Sequence, residues 1–554
     1  MLIIGLLIGC KSDQELTATE TDTPETVPDG TLIIETPEAV AWASEGPMTI
    51  SGQAYNMDTL TLNEEPISIS DDRFEETVTL ARGLNHFTVS GVDVGGDILT
   101  DKATVLAGDF ASPGDTMSEA LSAHLGPDGL DAIGAYASTA LDPSLLLDKE
   151  GSINPIYENY PIVGSWLAAD LVGLAFSTAE LEIVPTGGAL ELSIRLPDLD
   201  IDIDAYGEAA WIDYSLDVDM TADAAVITAE VMIEAVDGGL EVQMVDPEIS
   251  LEGFAYDLSI LPSFIEDYFF VETIQGTVED LLVEQANEMV PAMIDEALAG
   301  LEFSYTLELL GSELTLAADF ADVDITGDGV GLDMDVNVTV PGTGTLSYAG
   351  YLAAPTGTKP EHDLADPLSL VVSDDLLNRT LFEMWRGGAT ELTLSTEDGS
   401  LDPTTLEGLP LDTATISVSP QLPPVIVSGE HGLQLQAGAV EVVASTPGAS
   451  FGEYMNLRLT AIADATIAIE DGLIQPQLGD IFIDIEVLES DWSLPDSSIA
   501  EIVNWALPQE DLIAMVSEMG IALPSLGGIS VSNAEMRRDD DAFYSAVSVE
   551  FGLK

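Results

Sequence analysis

The chain has 554 residues, 46% of them hydrophobic, with 13 Lys and Arg against 100 Asp and Glu and a formal net charge of −87. So much apolar material excludes a disordered polyanion, and the absence of any basic cluster that could displace counterions excludes nucleic acid as a partner. A chain of this length is expected to form three or four units, and its charge opposes adsorption to anionic lipid unless an anchor or a buried acyl chain makes the attachment.

Cys10 is the only cysteine, which rules out an intramolecular disulfide, a CxxC redox pair and a cysteine zinc cluster. It closes a short apolar run, Leu2 to Ile8, that ends Leu7-Ile8-Gly9-Cys10. This resembles the bacterial lipobox, which implies a lipoprotein signal peptide over residues 1–9 and acylation of Cys10. Residues 10–30, rich in Thr, Glu, Asp and Pro and without apolar periodicity, read as a disordered tether. Lys11 follows the cysteine where an acidic retention signal would stand, so by analogy with bacterial lipoproteins the expected location is the cell envelope, anchored at the outer membrane. No later segment reaches the roughly 18 uncharged apolar residues of a spanning helix.

From residue 31 to 108, short β-branched runs alternate with turn signals, the pattern of a small β-sandwich. Gly52, the Leu62-Asn63 turn, Phe74, the Gly83-Leu84-Asn85 turn and Asp93 with Gly95 resemble a bacterial immunoglobulin-like module. Long alternating strands follow from Ala189 to about Ile233: LELSIRL, LDIDIDAY, YSLDVDM and AVITAEVMI. In PDLDIDIDAYG, Asp198, Asp200, Asp202 and Asp204 alternate with Leu199, Ile201 and Ile203. Same-face neighbours on a strand lie about 6.6 to 7 Å apart, too far for one cation to bridge them, so the aspartates read as a solvated wall backed by an apolar one. Between Thr273 and Leu301 the apolar period becomes helical, through Val278, Leu281, Leu282, Val290, Met293, Ile294 and Leu298. Strands then resume, and the order sheet, helix, sheet recurs, with a second helical stretch through Ile499, Ile502, Val503, Leu512, Met515 and Val516.

LGPDGLDAIGAYASTAL (Leu125 to Leu141), AELEIVPTGGALELSIRLPDLDIDIDAYGEAAW, LSLVVSDDLLNRTLFEMWRGGATELTL and LPPVIVSGEHGLQLQAGAVEVVA occur in an order that resembles the bactericidal/permeability-increasing protein and lipopolysaccharide-binding protein family, from about Ser118 to Phe551. That resemblance implies an α+β fold of two tandem tubular lipid-binding (TULIP) barrels, curved antiparallel sheets wrapped on long helices. They would occupy residues 115–345 and 346–554, the second including the central sheet, after the small N-terminal β-sandwich. It further implies lipid-contacting side chains at Leu199, Ile201, Ile203, Val278, Leu281, Leu282, Met289 and Met293, and at Ile499, Ile502, Val503, Met515 and Val516 in the second half. The basic barrel tip of lipopolysaccharide binders has no counterpart in so acidic a chain, so the implied partners are phospholipid or other acyl lipids.

Sharper chemistry finds weaker support. Gly448-Ala449-Ser450-Phe451-Gly452 matches G-x-S-x-G, but Pro447 precedes it and a strand-like run follows, so a turn between antiparallel strands is expected. The four histidines, His86, His124, His362 and His431, show no metal-ligand spacing, although a triad built on His362 or His431 stays open. Asp322, Asp324, Thr326, Asp328 and Asp333 partly fit a calcium loop, whereas a Gly-Asp-Gly hairpin explains the same residues. No cofactor, no resident metal and no enzymatic activity are expected. The leading expectation is a surface lipoprotein that binds, or binds and transfers, lipids; the alternative is a structural or adhesive protein with packed barrels, and a hydrolase ranks third.

Overall fold

The computed structural model describes residues 30–141, 154–162, 165–209, 212–256, 271–299, 301, 304–309, 312–342, 346–354, 362–401, 413–429, 432–449, 452–470, 473–496, 498–500, 503, 521–522, 530–538 and 543–552. Cys10, most of the tether, Ile502, Met515 and Val516 lie outside the described residues. The fold is mostly β, with few helices and a curled half-barrel sheet. Three α-helices are defined among the described residues: α1, Pro127–Ala140; α2, Val271–Ala299; and α3, Asp374–Arg386.

The chain divides into two compact units. The smaller takes residues up to Ala39, Met48–Val78 and Phe87–Ala103. In it Thr31–Thr36 pairs antiparallel with Gly46–Tyr55, and Gly52 lies so close that a Cβ would stand 2.0 Å from the Ile33 carbonyl and 2.8 Å from the Phe74 ring. The larger unit takes Val40–Pro47, Thr79–His86 and everything from Thr104. Residues between 31 and 108 thus fall in both units. The physical reason is a shared core in which Leu106, with Val40, Trp42 and Leu84 against it, packs on Leu352, Leu422 and Val425. Polar contacts reinforce it: Leu84 N donates to Gln436 Oε1 at 2.8 Å, and His86 Nε2 lies 2.9 Å from Asp484 Oδ2.

Among the described residues, three seven-stranded sheets build most of the larger unit. The central one runs Tyr305–Leu309, Ser312–Thr326, Gly329–Thr339, Met117–Leu125, Leu368–Ser373, Tyr544–Gly552 and Ser530–Arg537. It draws its first four strands from before residue 345 and its other three from after it. The topology repeats: a central strand, a short helix (α1 or α3), a meander of long strands, then a return to the central sheet. Each short helix carries its own start signal. Pro127 opens α1 with Asp128 in the first turn; Ser373 caps α3, its Oγ accepting from Leu376 N at 3.3 Å, with Asp374 and Asp375 following. Gly129 lets α1 approach the loop ahead of Leu368, since a Cβ there would stand 2.1 Å from the Pro367 carbonyl oxygen.

The first-half meander contains the two longest strands, Leu190–Ala209 and Ile212–Val236, paired along almost their whole length. Buried positions in the first run Leu190, Leu192, Ile194, Leu196, then Leu199, Ile201, Ile203, Ala205. The inward parity thus changes from even to odd across Pro197-Asp198, and the partner strand changes at the same level, from Val218, Met220, Ala222 and Ala224 to Ala225, Ile227, Ala229 and Val231. Asp198 makes the change by adopting φ 52°, a left-handed conformation that Asp tolerates better than most side chains. Both strands therefore keep one apolar face through the switch, where an uncorrected slip would turn half of it to water. Asp200 and Asp202 are exposed, on the opposite face.

Candidate functional site

The apolar face of this meander is closed by α2. Its buried residues, Val278, Leu282, Gln285, Ala286, Val290, Ile294, Ala297 and Leu298, recur at steps of three and four, a stripe along one side of the helix. Between stripe and sheet lies a small, partly open cavity of about 30 Å³, lined by Leu141, Phe176, Ile194, Leu196, Ile227, Leu282, Ala286, Met289 and Val290. Every lining side chain is apolar, but the space suits a water or two and not an acyl chain. Pro291 sits one residue past Val290 inside the helix. Having no N–H, it removes the bond that the Asn287 carbonyl would accept, which weakens α2 beside the cavity.

Of the residues singled out from sequence, Leu282 and Met289 line this cavity. Val278 is buried on the same stripe, with Leu281 and Met293 packed partly buried against the core. Leu199, Ile201 and Ile203 are fully buried in that core but lie beyond the parity switch, and the cavity is walled instead by Ile194 and Leu196. In the second half Ile499 is buried with Ala444, Met455, Leu457 and Trp492, and Val503 packs against them.

Electrostatics are one-sided. Between residues 115 and 345 the only basic residues are Lys149, outside the described residues, and Arg195. Arg195 alternates with the cavity residues Ile194 and Leu196 and pairs on the other face with Glu252 at 2.8 Å. That outer face holds an open groove of about 500 Å³ whose lining includes Glu182, Glu191, Glu230, Asp246 and Glu248. Among the described residues no group of three or more His, Cys, Asp or Glu side chains is placed to hold a metal ion, and no helix is long and apolar enough to cross a membrane.

No family model matches the chain, and no curated protein matches it. Among solved structures it is similar to a lipopolysaccharide binding protein, at 13% identity and a TM-score of 0.44 over 78% of this chain and 99% of that one. It is also similar to P47 of Clostridium botulinum E1, at 8% identity and a TM-score of 0.24 over 79% and 100% of the two chains. The functional reading therefore rests on this chain's own residues.

The other sequence candidates resolve as follows. Thr326 pairs with Gly329 and Asp322 with Asp333, so the calcium-like segment is a tight hairpin turning at Gly327-Asp328. The G-x-S-x-G segment connects two antiparallel strands whose last pair is Ser445 with Tyr454; Ser450 and Phe451, like His431, lie outside the described residues. His362 does meet serines, with Nε2 2.9 Å from Ser122 Oγ and Nδ1 3.2 Å from Ser369 Oγ. Both serines are buried in the central sheet, at 3% and 1% exposure, so neither hydroxyl faces solvent. His124 stacks on His362 with ring centroids 5.6 Å apart.

Burial holds the His124 imidazole below the usual histidine pKa, with the Asp328 carboxylate opposing. An unfolded chain takes up a proton at this residue near pH 6.5, where the folded chain does not, so stability falls as pH drops through that value and continues to fall until the lower folded pKa is reached. The expected result is a melting temperature that declines below about pH 6.5. In His124→Phe, which keeps a ring against His362, this part of the decline should disappear; an unchanged profile would remove His124 as its source.

Proposed function

We propose that the chain is a lipid-binding protein that takes acyl chains between α2 and the first-half meander. The observation that carries this reading is the wholly apolar cavity at their junction, set beside a helix weakened by Pro291. Uptake lifts α2 from the sheet and exchanges its contacts for those of the ligand, each buried methylene contributing about 0.8 kcal/mol. Such binding needs no cationic clamp. The repeated topology supports a second, equivalent barrel; the turn-separated β-branched runs of residues 31–108 support a β-sandwich, and the apolar run ending at Cys10 supports an outer-membrane lipid anchor. Nothing in this reading makes or breaks a bond, so the proposed role is carriage or sequestration and not catalysis.

The small size of the cavity favours a second reading, a structural or adhesive surface protein with packed halves. Lipid extraction and mass spectrometry of the purified full-length chain, with uptake of a fluorescent diacyl lipid, separates the two. Stoichiometric lipid, with uptake reduced in Ala286→Phe, supports binding; that substitution overfills the seam at a cost of about 1 to 3 kcal/mol. An empty preparation that takes up no lipid would overturn the binding reading and leave the packed one.

A further inference from the structure

The stripe of α2 that closes the apolar seam contains one polar residue, Gln285. It is 3% exposed, and its Oε1 has no hydrogen-bond partner among the described residues. Two cavity-lining residues, Leu282 and Met289, stand one helical turn before and after it, and a third, Ala286, is next in sequence. A buried amide oxygen without a donor costs free energy that a leucine at the same place would not, so its presence asks for a partner.

The chemistry of that partner is constrained from several sides. An amide oxygen accepts, so the missing group is a donor; a carboxylate or phosphodiester offers only acceptors. A hydroxyl both donates and accepts, and so satisfies the amide whichever way it is turned. Among the described residues no lining side chain of the cavity is cationic: Arg195, next in sequence to two of them, is on the other face with Glu252, and the groove behind the sheet carries five carboxylates of its own. A cationic head group has no carboxylate to meet it among the described residues that line the cavity, all of which are apolar.

Building on the lipid-binding reading above, we infer that the ligand class of the first half is an uncharged lipid with a free hydroxyl, whose O–H donates to Gln285 Oε1 while its acyl chains fill the seam opened beneath α2. Gln285 then acts as the specificity-determining residue: the apolar wall accepts any acyl chain, and the amide selects the head group. The charge of the protein works in the same direction, since so acidic a chain raises the cost of bringing an anionic phospholipid to its surface.

The test uses the delipidated full-length chain and four probes with identical acyl chains: a 1,2-diacylglycerol, the 1,2-propanediol diester that lacks only the hydroxyl, a phosphatidylglycerol and a phosphatidylcholine. The diacylglycerol should bind about tenfold more tightly than the deoxy diester, the ratio expected of one buried hydrogen bond, and more tightly again than either phospholipid. In Gln285→Leu the difference between diacylglycerol and deoxy diester should vanish, while the melting temperature of the empty protein holds or rises because an unpaired buried oxygen has been removed. If Gln285→Leu loses its fold, the comparison of the two diesters on the unaltered chain still decides. Equal affinity for diacylglycerol and deoxy diester, or for phosphatidylglycerol and diacylglycerol, would overturn the head-group inference while leaving lipid binding standing. Failure to bind any of the four would overturn both.

Discussion

Arg379→Met should cost about 3 to 5 kcal/mol of folding stability, the largest single-residue loss expected in this protein. Arg379 is 1% exposed, and its guanidinium donates to the carbonyls of Ser112 at 3.2 Å, Val338 at 3.4 Å and Pro113. It pairs with Glu383 at 2.9 Å and lies over the Tyr351 ring at 5.2 Å. Through one side chain, α3 is thus tied to the loop ahead of the Met117–Leu125 strand and to the edge of its neighbour. A methionine fills much of the volume and offers no donor, so several buried carbonyls lose a partner and Glu383, itself 0% exposed, keeps only Arg386, whose Nε lies 2.9 Å away. Denaturant unfolding measures the loss. The double variant Arg379→Met/Glu383→Leu should recover a substantial part of it, because it removes the stranded carboxylate as well. A double variant no more stable than the single one would show that the carbonyl contacts dominate and the ion pair does not.

Salt should stabilise this protein strongly. Strand register sets like charges face to face: Asp202 with Asp219, Asp204 with Asp217 and Glu191 with Glu230 in the first-half meander, and Asp319 with Asp335 and Asp322 with Asp333 in the central sheet. Directly opposed like charges each destabilise a sheet by up to about 1 kcal/mol, so the five pairs together cost on the order of a few kcal/mol at low ionic strength. Going from about 0.05 M to about 1 M NaCl shortens the screening length from over 10 Å to about 3 Å, less than the separation of paired strands, and removes most of that cost. The melting temperature should rise by a few °C across this range, because a chain of this length unfolds with an entropy of about 1 kcal/mol per degree. Asp202→Asn/Asp204→Asn should melt higher than the parent at low salt and show a shallower dependence. A melting temperature indifferent to NaCl would mean that these rows are already neutralised by some other route.

Much of this molecule is written locally. The alternation within LELSIRL and LDIDIDAY is legible, even to its change of parity, since Leu190 to Leu196 fall on even positions and Leu199 to Ala205 on odd ones, but two strands are expected there and one continuous strand, Leu190–Ala209, forms. The shift of period near Thr273 places α2 to within two residues of its observed ends, Val271 and Ala299. What local pattern does not carry is which stretch of a strand faces which stretch of a helix. The cavity is walled by Ile194 and Leu196, which share their periodicity with Ile201 and Ile203, and only the docking of α2 separates the two sets. Buried charges are hidden for a related reason. Arg379 and Glu383 stand at the spacing of a solvated helical pair, and nothing nearby in sequence announces that loop 112–115 and Val338 will cover them. Gln285 carried a legible signal, a polar residue within an apolar stripe, but on a helix rich in Glu and Asp that signal does not stand out. His86 and Asp484 meet across most of the chain, beyond the reach of any window.

The central sheet also governs when the protein can fold. Met117–Leu125 sits between Gly329–Thr339 and Leu368–Ser373, and the latter is flanked in turn by Tyr544–Gly552. During synthesis the Met117–Leu125 strand emerges early and waits, both edges unpaired, while more than two hundred residues are added before its first partner arrives. Its sheet is finished only when the strand ending at Gly552 has been made. Such distant pairings close slowly and leave adhesive edges open in the meantime. For a chain emerging one residue at a time, the abundant carboxylates then have a second use: they keep the half-made molecules apart until the sheet can close.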